Sequence, residues 1–337
     1  MKAVGYRRSQ PHDPPYAFED LELPPPNPGP RDILVRIRAV SVNPVDAKVR
    51  RGRNPAPDQV EVLGWDAVGI VEGLGAQASQ FKLGDRVYYA GAINRPGSNS
   101  ELHAVDERIV ALAPKSLNDA DAAALPLTSI TAYELLFHRL RVAKGQERSE
   151  TMLIVGGAGG VGSILIQLAR QLTRLRIVAT ASRPETRQWC LDLGAHEVID
   201  HRQPLSEGLK SVGIGAVDYV AALTQTEQHY AQIIECLEPQ GALAVIDDMK
   251  GLDIMALKSK SIALHWELMF TRSMYQTADM AEQGRLLSEV AALVDAGRIR
   301  STATLVMGAI NAENVGRAHA LIESGRARGK VVLTGGF

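Results

Sequence analysis

Apolar residues do not recur with a single period along this chain. Through the first 125 positions they come in short runs, Lys2–Tyr6, Ile33–Val40, Ala67–Leu74, Arg86–Ala90 and Ser100–Val105, separated by proline and glycine. Runs of this length bounded by turn-forming residues predict strands, and such a succession predicts an irregular all-β unit. The cluster Pro24-Pro25-Pro26-Asn27-Pro28-Gly29-Pro30 lies between two of the runs. It reads as a stiff surface connection, too short to isolate a domain.

From Asp119 the period lengthens. Ala120–Leu140 carries apolar residues at helical spacing, interrupted at Pro126. Strand-like and helix-like segments then alternate: Met152–Val155, Ser163–Leu172, Ile177–Thr180, Glu185–Leu193, Glu197–Ile199, Val217–Ala221, Gln228–Cys236 and Ala242–Ile246. Such alternation predicts a parallel sheet covered by helices. A helix over Asp279–Ala296, a strand over Ala303–Val306, a helix over Ala312–Ser324 and a strand over Lys330–Leu333 complete the chain. Neither an internal repeat nor a low-complexity tract is visible.

The 337 residues suffice for two domains. With 45% hydrophobic and 22% charged residues, the chain has the balance of an ordinary globular protein. Its 37 basic and 38 acidic residues leave a net charge of −1. That removes any general electrostatic reason to bind nucleic acid or an anionic membrane. The opening MKAVGYRRSQ lacks the apolar stretch of a signal peptide, and no later run is a membrane span, so a cytoplasmic protein is expected. Cys190 and Cys236 are the only cysteines. They are too few for a disulfide framework or a four-cysteine zinc site, and both read as apolar packing in helices.

The sharpest chemical signal is the segment Thr151-Met152-Leu153-Ile154-Val155 running into Gly156-Gly157-Ala158-Gly159-Gly160-Val161-Gly162-Ser163. It holds GxGxxG at Gly157, Gly159 and Gly162, closing a strand and opening a helix. In that setting backbone N–H groups and the helix dipole hold a pyrophosphate, which marks a Rossmann dinucleotide-binding unit. Gly157, Ala158, Gly159, Gly160, Val161 and Gly162 are therefore cofactor candidates. An NAD enzyme usually presents a carboxylate to the ribose about 20 residues further on. Here the second strand ends in Thr180-Ala181-Ser182-Arg183. A hydroxyl and a guanidinium suit a 2′-phosphate, so Ser182 and Arg183 favour NADPH. His201, after the third strand, is a further candidate for the same pocket.

With these residues in view, the chain resembles the medium-chain dehydrogenase/reductase superfamily, in particular its quinone oxidoreductase-like and zinc-type alcohol dehydrogenase-like members. The resemblance spans essentially the whole chain. It is carried by Met1-Lys2-Ala3-Val4, Val42-Asn43-Pro44-Val45-Asp46, Leu63-Gly64-Trp65-Asp66-Ala67-Val68-Gly69, Gly84-Asp85-Arg86-Val87, Leu125–Tyr133, the glycine turn and Gly329-Lys330-Val331-Val332-Leu333. It implies an α/β protein with a GroES-like β-rich catalytic domain over 1–125, completed by 299–337, and a Rossmann doubly wound parallel-sheet domain over 126–298, with the active site in the cleft. Zinc enzymes of the family carry a cysteine where this chain has Asn43, and a His-Glu pair where it has Trp65-Asp66. Without those ligands, and without the structural cysteine lobe, no metal is expected.

Losing the Lewis acid narrows the chemistry to acceptors that are already electrophilic. A quinone or an α,β-unsaturated carbonyl takes hydride at carbon while hydrogen-bond donors steady its oxygen. Asn43, Asp46, Trp65 and Tyr88 are the catalytic-cleft candidates, with Tyr89 facing the opposite side of its strand from Tyr88. By resemblance, Asn43 reaches the nicotinamide ribose or substrate and Thr128 lies near the nicotinamide. Trp65 reads equally as packing, and Asp46 as a helix cap. The segment Ser261–Arg272 borders the subunit interface in relatives, which implies a homodimer. The expected partner is otherwise a small electrophilic substrate. Two alternatives stay open: a zinc-free alcohol or carbonyl dehydrogenase, and an NADPH-binding protein without turnover.

Overall fold

A computed structural model describes residues 1–9, 17–145 and 150–337. They divide into two compact units, one formed by residues 1–130 with 270–337 and the other by residues 131–269. The first unit opens with β1 (Lys2–Tyr6), β2 (Glu19–Glu22), β3 (Asp32–Val42), α1 (Pro44–Gly52), β4 (Glu61–Val62), β5 (Ala67–Leu74), β6 (Arg86–Tyr89), β7 (Leu102–Asp106), β8 (Val110–Leu112) and α2 (Asp119–Ala123). Helix α3 (Pro126–Tyr133) runs to the boundary and passes directly into a π-helix, Glu134–Arg139. The helical stretch expected over Ala120–Leu140 is thus three pieces, with Pro126 at the first position of α3, where its missing N–H costs nothing.

The second unit continues with β9 (Thr151–Val155), α4 (Gly160–Leu172), β10 (Arg176–Thr180), α5 (Pro184–Asp192), β11 (Glu197–Ile199), α6 (Leu205–Ser211), β12 (Val217–Ala222), α7 (Thr226–Cys236), β13 (Leu237–Val245) and β14 (Ala263–Trp266). The chain then returns to the first unit through α8 (Thr271–Tyr275), α9 (Glu282–Asp295), β15 (Ala303–Val306), α10 (Ala312–Glu323) and β16 (Lys330–Thr334).

In the first unit, β3 is the strand around which the others assemble. It pairs with β7 over Asp32–Arg36, with β16 over Ala39–Val42 and with β5 along most of its length, every pairing antiparallel. Ile33, Val35 and Ile37 alternate inward, where they meet Val71, Val87, Val105, Val331 and Leu333 in one buried cluster. Period-two alternation is what a sheet with one covered face demands. Helix α9, expected from the sequence in the dinucleotide-binding domain, belongs to this unit instead. It lies against the edge formed by β8, and the contact depends on Gly284: a Cβ there would stand 2.7 Å from the carbonyl oxygens of both Arg108 and Val110. A tertiary approach of this kind leaves no mark on helical periodicity.

The second unit is one parallel sheet in the order β11-β10-β9-β12-β13-β14. Met152, Leu153, Ile154 and Val155 of β9 are all buried, as a strand covered on both faces requires. The chain steps outward from β9 to β10 and β11, then returns past its starting strand to β12. The reversal lies between β9 and β12, the topological switch point where doubly wound sheets bind ligands at their carboxyl edge. The α/β architecture expected from the sequence, a β-rich unit and a doubly wound parallel sheet, is the one observed.

Strand β14 is tied to the π-helix by charge. Arg139 Nε donates to Glu267 Oε2 at 2.7 Å, and its Nη2 lies 3.6 Å from Glu134 Oε2. Both glutamate side chains are fully buried. One guanidinium cannot neutralise two buried carboxylates, so burial, reinforced by Glu134, pushes the Glu267 carboxyl up to about 8. The folded chain therefore keeps a proton here that the unfolded chain releases near 4.5, the ordinary value. Folded stability from this pair declines as pH rises from about 4.5 through 8 and levels off above. Glu267→Gln, which keeps the shape of a protonated carboxyl, should flatten that decline; urea unfolding at a series of pH values measures it.

Candidate functional site

Two constellations carry chemistry, one in each unit. The first is a buried polar cluster where β3 runs into α1. Asn43 caps α1: its N–H donates to Asp46 Oδ2 at 2.8 Å, and Asp46, at the third helical position, closes a capping box. Asp46 Oδ1 also accepts the N–H of Gly64 at 3.1 Å, so this carboxyl joins the helix start to the loop before β5. Complete burial pushes it up to about 7 even with Lys330 nearby. Asp46 is thus both a cap and a member of the cluster.

The centre of the cluster is Asp66. Its Oδ2 accepts from Ser41 Oγ at 2.8 Å, from Asn43 Nδ2 at 2.9 Å and from Lys330 Nζ at 2.9 Å. Its Oδ1 accepts the N–H of Leu127 at 2.7 Å. The Lys330 ammonium further donates to Asn43 Oδ1 and, at 3.2 Å, to the Val42 carbonyl. The Lys330 side chain is 3% exposed and that of Asp66 is 0%. Four stretches of chain therefore meet at one desolvated ion pair whose bonding groups are saturated, the condition under which a buried charge persists.

The remaining first-unit candidates are occupied elsewhere. Trp65 is fully buried, donates from Nε1 to the Ala92 carbonyl at 3.2 Å and meets Phe270 edge-on. The Tyr88 hydroxyl donates to the Leu287 carbonyl of α9, and Tyr89 bonds His103 at 3.0 Å. The polar tips of Trp65 and Tyr88 are thus each engaged by a backbone carbonyl. Thr128 is buried in α3, its hydroxyl returned to the Leu125 carbonyl at 3.2 Å, next to the residue whose N–H holds Asp66.

The second constellation sits at the carboxyl edge of the parallel sheet. Thr180, the last residue of β10, holds the glycine turn from beside it: its hydroxyl accepts the N–H of Gly156 at 3.0 Å and its carbonyl that of Gly157 at 3.2 Å. Gly162 allows α4 to start against the turn, since a Cβ there would stand 2.5 Å from the carbonyls of Gly156 and Gly157. Gly159 has no such reason. Its backbone is extended, and a Cβ would meet nothing nearer than 3.5 Å, an ordinary contact. The bare backbone at Gly159 leaves room beside the first N–H groups of α4, as close approach of a pyrophosphate requires. Gly157, Ala158, Gly160 and Val161 share this turn.

Ser182 and Arg183 follow β10 and lead into α5. The Arg183 guanidinium is 41% exposed and lies 3.2 Å from Glu185, a surface ion pair of little intrinsic worth. Past β11, Arg202 forks onto Asp200 at 2.6 to 3.1 Å and reaches the Ser182 carbonyl at 3.1 Å, coupling the ends of β10 and β11. That fork holds Asp200 well below the usual carboxylate range. His201 meets His229 of α7 edge-on at 6.2 Å. Burial holds both imidazoles below their ordinary value, so both are neutral near pH 7.

Of the residues singled out in the sequence, Asn43 and Asp46 come together; the glycine turn is bonded to Thr180, two residues before Ser182, and His201 meets His229. Asp66, Lys330, Arg202 and His229 were not singled out in the sequence as cleft or cofactor candidates, and the structure joins Asp66 and Lys330 to Asn43, Arg202 to Ser182 and His229 to His201. A lysine opening the apolar run Lys330-Val331-Val332-Leu333 was the available hint of a buried counter-charge. Among the described residues there is no group of three or more His, Cys, Asp or Glu placed to hold a metal ion. Both cysteines are free and buried.

The chain resembles known proteins over nearly its whole length. Residues 29–115 match the family profile "Alcohol dehydrogenase GroES-like domain", and residues 193–333 match "Zinc-binding dehydrogenase". A zinc-type alcohol dehydrogenase-like protein of Staphylococcus epidermidis is 37% identical over 336 residues, 99% of each chain. A quinone oxidoreductase of Pseudomonas aeruginosa is 29% identical over 95% of this chain and 96% of its own. The crystal structure of a Rhizobium etli protein assigned to the zinc-dependent alcohol dehydrogenases superposes with a TM-score of 0.96 at 54% identity, covering 99% of this chain and 98% of that one.

Removing the ammonium from the first cluster should leave Asp66 buried and unpaired. Lys330→Met is expected to lower unfolding stability by about 3–5 kcal/mol. Adding Asp66→Asn should recover much of the loss, read by denaturant unfolding of the two variants.

Proposed function

Because the chain belongs to the medium-chain dehydrogenase/reductase superfamily, in its quinone oxidoreductase-like branch, we propose that it is an NADPH-dependent, zinc-independent reductase of quinones or α,β-unsaturated carbonyl compounds. The superfamily makes it an oxidoreductase using a nicotinamide dinucleotide. The finer reading rests on the Asp66 cluster. The family's metal ligands would lie where this chain carries Asn43 and Trp65-Asp66, and there Lys330 brings a buried ammonium onto Asp66 and Asn43. A second cation beside that ammonium would meet repulsion, and neither an amide nor an indole is a strong zinc ligand. The residues do not fit zinc.

They do fit a dinucleotide phosphate. The open backbone at Gly159 and the start of α4 would hold its pyrophosphate. Ser182 and Arg183 would take its 2′-phosphate, Arg183 exchanging Glu185 for a doubly charged partner. The dihydronicotinamide supplies a hydride when bound. The chain's own share is to orient the reactants and to keep donors near the acceptor oxygen, with Asn43 the candidate donor. Without a Lewis acid to lower the pKa of an alcohol, acceptors with an already electrophilic carbon are favoured. Exposed Trp266 and Leu268, on and just past the edge strand β14, support pairing of two copies as a homodimer.

The purified protein should oxidise NADPH with a quinone and with an enone at rates that a strong chelator leaves unchanged, and far more slowly with a simple aldehyde. One bound zinc per chain with chelator-sensitive turnover would overturn the zinc-independent reading; turnover with aldehyde alone would overturn the acceptor class. Arg183→Ala should weaken NADPH binding about ten- to a hundred-fold, the worth of one charge-assisted hydrogen bond, and leave NADH nearly untouched. The ratio of catalytic efficiencies for the two cofactors, in wild type and variant, measures it.

A further inference from the structure

Helix α5 carries Arg183 at its head. Arg183 is the N-cap residue and Pro184 opens the first turn. Thr186 Oγ1 accepts the Arg183 N–H at 3.3 Å and donates to the Arg183 carbonyl at 2.9 Å. The proline ring and this double bond make the Arg183 backbone move with α5 as one piece. Where α5 lies therefore decides where the guanidinium can reach.

What holds α5 in place is the glycine turn. Thr186, Trp189 and Cys190 stand three and four residues apart, on one face of the helix, and the last two reach the turn and the head of α4. Cys190 is fully buried, and a Cβ on Gly157 would stand 3.2 Å from its sulfur. Trp189 Nε1 donates to Ser163 Oγ at 2.8 Å. Ser163, fully buried in the first turn of α4, donates in turn to the Ala158 carbonyl at 3.5 Å. One hydroxyl thus ties the indole both to α4 and to the turn before it. Phenylalanine would meet the demands of packing alone. An indole adds a directed N–H, and here it is directed at the element that would receive a pyrophosphate.

The two candidate anion sites stand at the two ends of this brace, Arg183 at one and the glycine turn at the other. A nucleotide phosphorylated at both the 2′ and 5′ positions presents two anionic groups a set distance apart. It gains from both sites together only if their separation is fixed before it arrives. We infer that Trp189 is a positioning residue for cofactor selection, which through Ser163 fixes the span between the glycine turn and Arg183 so that one ligand bridges both. The inference rests on the NADPH reading above and adds to it the residue that makes the two anion sites act together.

Calorimetric binding of 2′,5′-ADP, which carries both anionic groups, and of 5′-AMP and 2′-AMP, which carry one each, tests it on wild type, Trp189→Phe, Ser163→Ala and the double variant. Trp189→Phe should bind 2′,5′-ADP about five- to ten-fold more weakly, the worth of one hydrogen bond, and both monophosphates within about two-fold of wild type. Ser163→Ala breaks the same bond from the other side and should match it. The double variant should be no weaker than either, because all three lack the one interaction. Unchanged 2′,5′-ADP binding in Trp189→Phe overturns the inference. So does equal weakening of all three ligands, which would mark a residue that shapes the turn itself, and so does a double variant whose losses add. In each of those cases a wild type that prefers 2′,5′-ADP to 5′-AMP leaves the NADPH reading standing. A wild type without that preference overturns the NADPH reading, and the inference with it.

Discussion

The first unit depends on one buried ion pair. Lys330 enters from the last strand, Asp66 from the loop before β5, Asn43 from the end of β3 and Leu127 from α3, and all converge on a single carboxylate. Desolvating a lysine and an aspartate together is expensive unless every lone pair and proton finds a partner, and here the bonds are supplied. The arrangement specifies register as well as charge. Lys330 reaches Asp66 only if β16 pairs with β3 so that Val331 stands opposite Val42, and a slip of one residue would turn the ammonium to the other face of the sheet.

The second unit is governed by topology rather than by a pair. Its strands are parallel, so their carboxyl ends share one edge, and the reversal between β9 and β12 opens a crevice there. Thr180 couples the end of β10 to the glycine turn, Arg202 couples β11 to β10, and the His201 and His229 imidazoles meet edge-on. Each tie joins elements distant in sequence and adjacent at that edge. The candidate cofactor groups are held by backbone and side-chain bonds that exist before any ligand arrives, which lowers the ordering cost of binding.

What the sequence made legible was local. GxGxxG between a strand and a helix is a contiguous signal, and so is the absence of an acidic residue at the end of β10. Strands such as β1 and β15 were readable to the residue because their apolar runs are bounded by turn-forming residues. What escaped was everything made by tertiary approach. Asp66 was visible only as an unsuitable zinc ligand, and Lys330 only as a member of a terminal strand; 264 residues separate them. Helix α9 has the periodicity of any amphipathic helix, and only the closeness of Gly284 to two carbonyls says which sheet it covers. Tyr88 looked available because alternation along a strand gives the face but not the neighbour, and the neighbour is the Leu287 backbone.

The first unit is assembled from both ends of the chain, with the whole second unit inserted between them. During synthesis the uninterrupted second unit has all its strands once residue 269 has left the ribosome, and it can fold at once. The earlier half of the first unit must wait, with Asp66 lacking its counter-charge and the end of β3 lacking its partner strand, until β16 has been made. Contacts of such sequence separation slow folding and prolong the exposure of unpaired strand edges. Chaperone dependence and aggregation in this protein should therefore concentrate in its N-terminal third, and a chain cut short by even ten residues would carry a complete dinucleotide-binding sheet beside a β-unit that cannot close.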